Sequence, residues 1–118
     1  MKIKRIFRGL LFAWRGVATV VREEQNFRLE LLVAAAVFAL AAALNVRPIE
    51  GAALSLVIGL VLVLELLNSV LERMVDALKP RLHPFAAEVK NIAAGAVLLA
   101  AATSVAVALF IFLPYFVN

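Results

Sequence analysis

Glu65, Asn68, Glu72 and Asp76 recur at intervals of three and four within ELLNSVLERMVD, residues 65 to 76. At 100° per residue they fall within a sector of about 80°, so a helix carries three carboxylates and an amide along one face. Oxygen donors without sulfur suit a hard cation such as Mg²⁺, which takes one or two carboxylates and leaves its other positions to water and phosphate oxygens. Further candidates lie outside the stripe: Glu24 in REEQNFRLE, His83 in a turn, and Lys90 at the start of another apolar run. Acids for a metal and bases for phosphate together point to phosphoryl transfer.

The segment before the stripe gives its depth. Between Glu50 and Glu65 lie 14 uncharged residues, GAALSLVIGLVLVL, which as a helix cover about 21 Å of a hydrocarbon core of about 30 Å. A spanning helix therefore carries Glu65, and Asn68 after it, into the inner edge of the bilayer. An ionisable group at that depth is costly and by default functional, and a carboxyl facing a lipid hydroxyl suits a proton acceptor.

A bilayer is required by composition. Hydrophobic residues make up 65% of the 118 and mean hydropathy is +1.03, against an apolar share of about 45 to 50% in soluble domains. Cysteine is absent, which excludes disulfides and thiolate chemistry, and the net charge of +4 suits anionic lipid or phosphate rather than nucleic acid.

Periodicity supplies the elements. In residues 1–28, Ile3, Ile6, Phe7, Leu10, Trp14, Val17 and Val21 follow helical spacing while Lys4, Arg8, Arg15 and Arg22 gather opposite, the pattern of an amphipathic surface helix. A secretory signal is the competing reading, but Arg15 interrupts its apolar run. Three transmembrane helices follow, over about 29–46, 50–78 and 86–113, with Pro48 and Pro114 as breakers. Ten of the twelve Lys and Arg residues lie at or before Arg28 or between Arg73 and Arg81, and only Arg47 lies across the membrane. The N-terminus and the stripe are therefore expected on the cytoplasmic side of a multi-pass protein. The whole chain, 1–118, reads as a single membrane domain. Alanine is abundant in the first and third spans, and three thin spans bury little alone, so a homo-oligomer is expected.

Blander readings stand beside these. Glu72 and Asp76 can also be read as solvated residues neutralised by Arg73, Lys79 and Arg81, His83 as a turn residue, and Lys90 as a snorkelling side chain. A non-enzymatic membrane subunit, or a proton-coupled transporter with Glu65 as carrier acid, is the alternative of a different class. The clustering of polar groups at one membrane face weighs against a transporter. No GxxxxGK[ST], GxGxxG, HRD or DFG signature occurs, so any ATP site lies outside those architectures.

ELLNSVLERMVD, with EEQNFRLE upstream and HPFAAEVKNIAAGAVLL downstream, resembles the signatures of the prokaryotic integral-membrane diacylglycerol kinase family, which includes undecaprenol kinases. The resemblance covers essentially the whole chain. It implies a homotrimer in the bacterial cytoplasmic (inner) membrane that transfers the γ-phosphate of MgATP to a lipid hydroxyl, with diacylglycerol the first expectation for the acceptor and undecaprenol the second. It further implies that Glu65 is the catalytic proton acceptor, that Glu24 and Glu72 hold Mg²⁺, and that Asn68 orients groups between them. Lys90 would contact phosphate, Arg5 would lie near nucleotide and lipid, and Arg81, Leu82 and His83 would line the nucleotide site. Two nucleotide-site positions depart from the family: Asn91 follows Lys90 where Asp is usual, and Phe12 stands where some members have Tyr.

Overall fold

The computed structural model describes residues 2–82 and 84–117. Its regular elements among those residues are all helical: α1 (Ile3–Glu23), α2 (Gln25–Leu44), α3 (Pro48–Ala77), the single turn α4 (Lys79–Leu82) and α5 (Ala86–Val117). α2, α3 and α5 are each long and apolar enough to cross a membrane, which makes this an all-α membrane protein. At 1.5 Å per residue α2 matches a hydrocarbon core of about 30 Å, whereas α3 and α5 exceed it by about 15 Å. Because a short turn keeps α2 and α3 level at one end, the surplus of α3 lies at the other, where the polar stripe sits.

Local chemistry dictates that turn. Asn45 adopts left-handed backbone (φ 52°), which Asn tolerates and which terminates a helix. The N–H groups of Asn45 and Val46 close onto the carbonyls of Ala42 and Ala41, both at 3.2 Å. Arg47 is extended ahead of Pro48, which opens α3 where a missing N–H costs nothing, and Glu50 Oε1 accepts the Arg47 N–H at 3.0 Å.

Buried positions recur every seven residues in all three spans: Phe27, Ala34 and Ala41 in α2; Leu54, Val61, Asn68 and Val75 in α3; Ala86, Ala93 and Ala100 in α5. A seven-residue seam keeps helices in contact at a shallow left-handed crossing. Alanine on the α2 and α5 seams lets those backbones approach closely without help from a hydrophobic driving force. α5 packs chiefly on α3, and α2 also packs on α3. Ala41, Leu54, Ile111 and Phe112 form an apolar cluster at the end away from the stripe. Asn68 is the polar exception on the seam.

Two boundaries differ from the sequence reading. The first helix ends at Glu23 rather than at residue 28, because Glu24 is extended (φ −117°, ψ 112°) and residues 25–28 open α2. Arg28 reaches back so that its Nη1 donates to the carbonyls of Val21 and Arg22, both at 2.8 Å. These are orphaned acceptors at a helix C-terminus, where a cation is also favoured by the dipole. The third span does not stop at Pro114 but runs to Val117. Proline removes one helical donor and crowds the preceding turn. The hydroxyl of Tyr115 donates to Glu50 Oε1, tying the last turn of α5 to the first turn of α3.

Candidate active site

The site forms where the one-residue break between α1 and α2 meets the far end of α3. Glu65, Asn68 and Ser69 are buried there, at 5%, 8% and 0% exposure. The Ser69 hydroxyl donates to Glu24 Oε2 at 2.6 Å, fixing a carboxylate from the break against α3. Glu65 lies within electrostatic range of Glu24 and Glu72, and within hydrogen-bonding reach of Glu30 on α2. Glu24 and Glu72, nominated from sequence, thus both bear electrostatically on Glu65, and Asn68 lies one turn from Glu65 on α3.

The pairing of the cations departs from the bland reading. Arg73 neutralises neither Glu72 nor Asp76: its Nη2 donates to Glu23 Oε1 at 2.8 Å and lies 3.8 Å from Glu24 Oε2. Lys90 Nζ donates to Asp76 Oδ1 at 3.0 Å, crossing from α5 to α3. Asp76, the outermost acid of the stripe, therefore holds Lys90 at the rim. Arg5, Phe12, Arg81 and Asn91 are exposed, and no hydrogen bond or ion pair among the described residues ties them to the cluster. Arg5 instead shares a concavity with Lys2, Lys4 and Arg8, and the Arg15 guanidinium lies 5.7 Å from the Phe12 ring centre. Of the expected nucleotide-turn residues, His83 and the Leu82 side chain lie outside the described residues.

Besides Ser69, two features went unread in the sequence. Glu30, the last residue of EEQNFRLE, faces Glu65, and no described donor reaches its buried Oε2. Asn68 Oδ1 is likewise buried without a donor among the described residues. Buried acceptors without partners are costly, of order 1–3 kcal/mol each, and are retained where a ligand or proton donor completes them. From this point an apolar groove of about 170 Å³ descends between α2, α3 and α5, with Glu30 at its lining and Val33, Val61, Leu62, Ala101 and Ser104 among its walls. Val61 is one helical turn from Glu65.

Carboxylate and amide oxygens without sulfur are the donor chemistry that suits a hard divalent cation. Among the described residues no three carboxylate, imidazole or thiol groups are already gathered as a ligand set. Mg²⁺ requires no such cage, since it keeps water and takes phosphate oxygens alongside one or two carboxylates.

Residues 11–112 match the family model described as prokaryotic diacylglycerol kinase. The chain belongs to the prokaryotic diacylglycerol kinase family. As a member of that family it is a lipid kinase. It is 36% identical over 113 residues to the undecaprenol kinase of Bacillus subtilis (strain 168), covering 96% of this chain and 92% of that one. It is 40% identical over 104 residues to a diacylglycerol kinase of Synechocystis, covering 87% of this chain and 59% of that longer one. It is 29% identical over 96 residues to the diacylglycerol kinase of Escherichia coli K12, covering 81% and 79%. For this diacylglycerol kinase family member, the matched region contains α2, α3 and every residue of the buried cluster.

Proposed function

We propose that this protein transfers the γ-phosphate of MgATP to the hydroxyl of a membrane lipid, with diacylglycerol as acceptor and phosphatidic acid as product. The observation that carries the reading is the buried Glu65–Asn68 pair: an acid and an unpartnered acceptor at the membrane edge, where the polar cluster meets an apolar groove. A lipid with its chain in the groove would present its headgroup hydroxyl to Glu65, which would accept the proton as the oxygen attacks the γ-phosphorus and the bond to the bridging oxygen breaks, releasing ADP. Asn68 orients the reacting groups. Glu24, fixed by Ser69, and Glu72 would hold Mg²⁺, which when bound neutralises the ATP phosphates. Lys90, held at the rim by Asp76, would contact the phosphates, and Arg5, Phe12, Arg81, Leu82, His83 and Asn91 would contribute to the nucleotide side, with Arg5 also near the lipid. Positioning and charge neutralisation supply most of the acceleration in phosphoryl transfer, and this set of residues is suited to both.

The working assembly is a homotrimer in the bacterial cytoplasmic (inner) membrane, with α1 lying on the cytoplasmic surface. Supporting this, the three spans leave most of their apolar side chains exposed in a single chain, and Lys and Arg concentrate at the stripe end. The exposed apolar residues Ile3, Phe7, Leu10 and Trp14 of α1 suit the headgroup boundary.

Undecaprenol is the second reading for the acceptor, favoured by the near full-length match to the Bacillus enzyme. γ-Phosphate transfer in detergent, run with diacylglycerol and undecaprenol side by side, tests both. Mg²⁺-dependent phosphorylation of diacylglycerol is expected. Transfer to undecaprenol alone would reassign the substrate, and transfer to neither would refute the kinase reading of this site.

A further inference from the structure

Arg73 sits one helical turn beyond Ser69 on α3, and both side chains reach the break between α1 and α2. Ser69 binds Glu24 Oε2 at 2.6 Å, and Arg73 Nη2 lies 3.8 Å from the same oxygen while its closer bond, 2.8 Å, goes to the neighbouring Glu23. Among the described ion pairs Arg73 is the one cation within 4 Å of Glu24, Glu65 or Glu72. Arg28, the other nearby cation, spends its Nη1 on the carbonyls that end α1.

A divalent cation on Glu24 would stand next to a fixed guanidinium. Repulsion between them opposes a bare metal ion but not a metal bound to polyphosphate, whose negative charge is attracted by both. Glu23 matters because it draws the guanidinium off Glu24. Without it, Arg73 would pair with Glu24 directly and compete for its lone pairs.

We propose that Arg73 is a positioning residue: tethered by Glu23, its guanidinium keeps Glu24 oriented yet discriminates against free divalent cation, so that the metal is taken up together with nucleotide. The inference rests on the reading of Glu24 as a metal ligand. Arg73 and Glu23 are 46% and 57% exposed, so water screens the effect and it is a matter of a few-fold rather than orders of magnitude.

Mn²⁺ binding to the purified full chain in detergent, followed by electron paramagnetic resonance without nucleotide, tests it. Arg73→Gln should bind Mn²⁺ about threefold more tightly and Glu23→Gln about threefold more weakly, with Arg73→Lys near wild type. The KM for MgATP should rise in Arg73→Gln with kcat changing less. Opposite signs from the two neutralising variants separate this role from a structural one, which would weaken binding in both. If Arg73→Gln fails to tighten Mn²⁺ binding while Glu24→Gln abolishes it, the proposal fails and the metal assignment stands. If Glu24→Gln binds as wild type does, or no variant binds up to millimolar Mn²⁺, both fail.

Discussion

Replacing Ser69 by Ala removes one oxygen atom from the most buried point of the site. Ser69 has 0% exposure, and its hydroxyl makes a 2.6 Å bond to a carboxylate. Hydrogen bonds to charged groups contribute about 1.5–3 kcal/mol net. Glu24 retains 21% exposure of its side chain, so water partly replaces the lost donor and the lower end of that range applies. About 1.5 kcal/mol corresponds to roughly tenfold in an equilibrium constant. If the bond serves to aim Glu24, that loss falls on the metal–nucleotide complex: the KM for MgATP should rise about tenfold, with kcat and the lipid KM changing much less. Ser69→Thr keeps the hydroxyl and should lie closer to wild type. Steady-state kinetics against MgATP at saturating lipid, with thermal unfolding as a folding control, measures this directly. A MgATP KM within twofold of wild type in folded Ser69→Ala would refute the idea that Ser69 prepares Glu24 for the metal.

Asn68 should show a trade of stability against activity: Asn68→Leu puts an apolar side chain on the α3 seam in place of an unpartnered acceptor. Unfolding should then be harder by about 1 kcal/mol while activity falls at least tenfold; a destabilised but active variant would contradict this. Leu54→Ala opens the cluster at the opposite end, where Leu54 is 1% exposed, and should cost about 2–5 kcal/mol. The KM for MgATP should stay unchanged in the protein that remains folded, as read by denaturant unfolding alongside kinetics. Asn91→Asp, which places a carboxylate beside Lys90, should raise the apparent affinity for MgATP or the rate; no change in either would mean that this chain arranges its nucleotide contacts differently.

The spans were legible because hydrophobic length is nearly sufficient to specify a membrane helix, and the stripe because helical phase aligns Glu65, Asn68 and Glu72 whatever surrounds them. The burial of Glu65, at 5% exposure, agrees with its place after 14 uncharged residues. The seven-residue seam was harder to see, since alanine occupies lipid-facing and buried positions of α2 and α5 alike. Ser69 carried no signal: a serine within LNSVL reads as neutral, and its partner Glu24 lies 45 residues away. Glu30 sat in plain view in EEQNFRLE, but only the packing of α2 on α3 turns it toward Glu65. Arg73 looked like a neutraliser of its own helix, whereas the break at Glu24 brings it better partners from α1. Pro114 did not end α5, which runs on to Val117 with Tyr115 bonded to Glu50, since the fixed φ of proline is itself compatible with a helix.

The most direct test is the initial rate of γ-phosphate transfer from MgATP to lipid by folded Glu65→Gln. A positioned general base contributes about 100- to 10,000-fold, so the rate should fall at least about 100-fold while MgATP still binds. Full activity in that variant would contradict the assignment of Glu65 as the group that accepts the lipid proton.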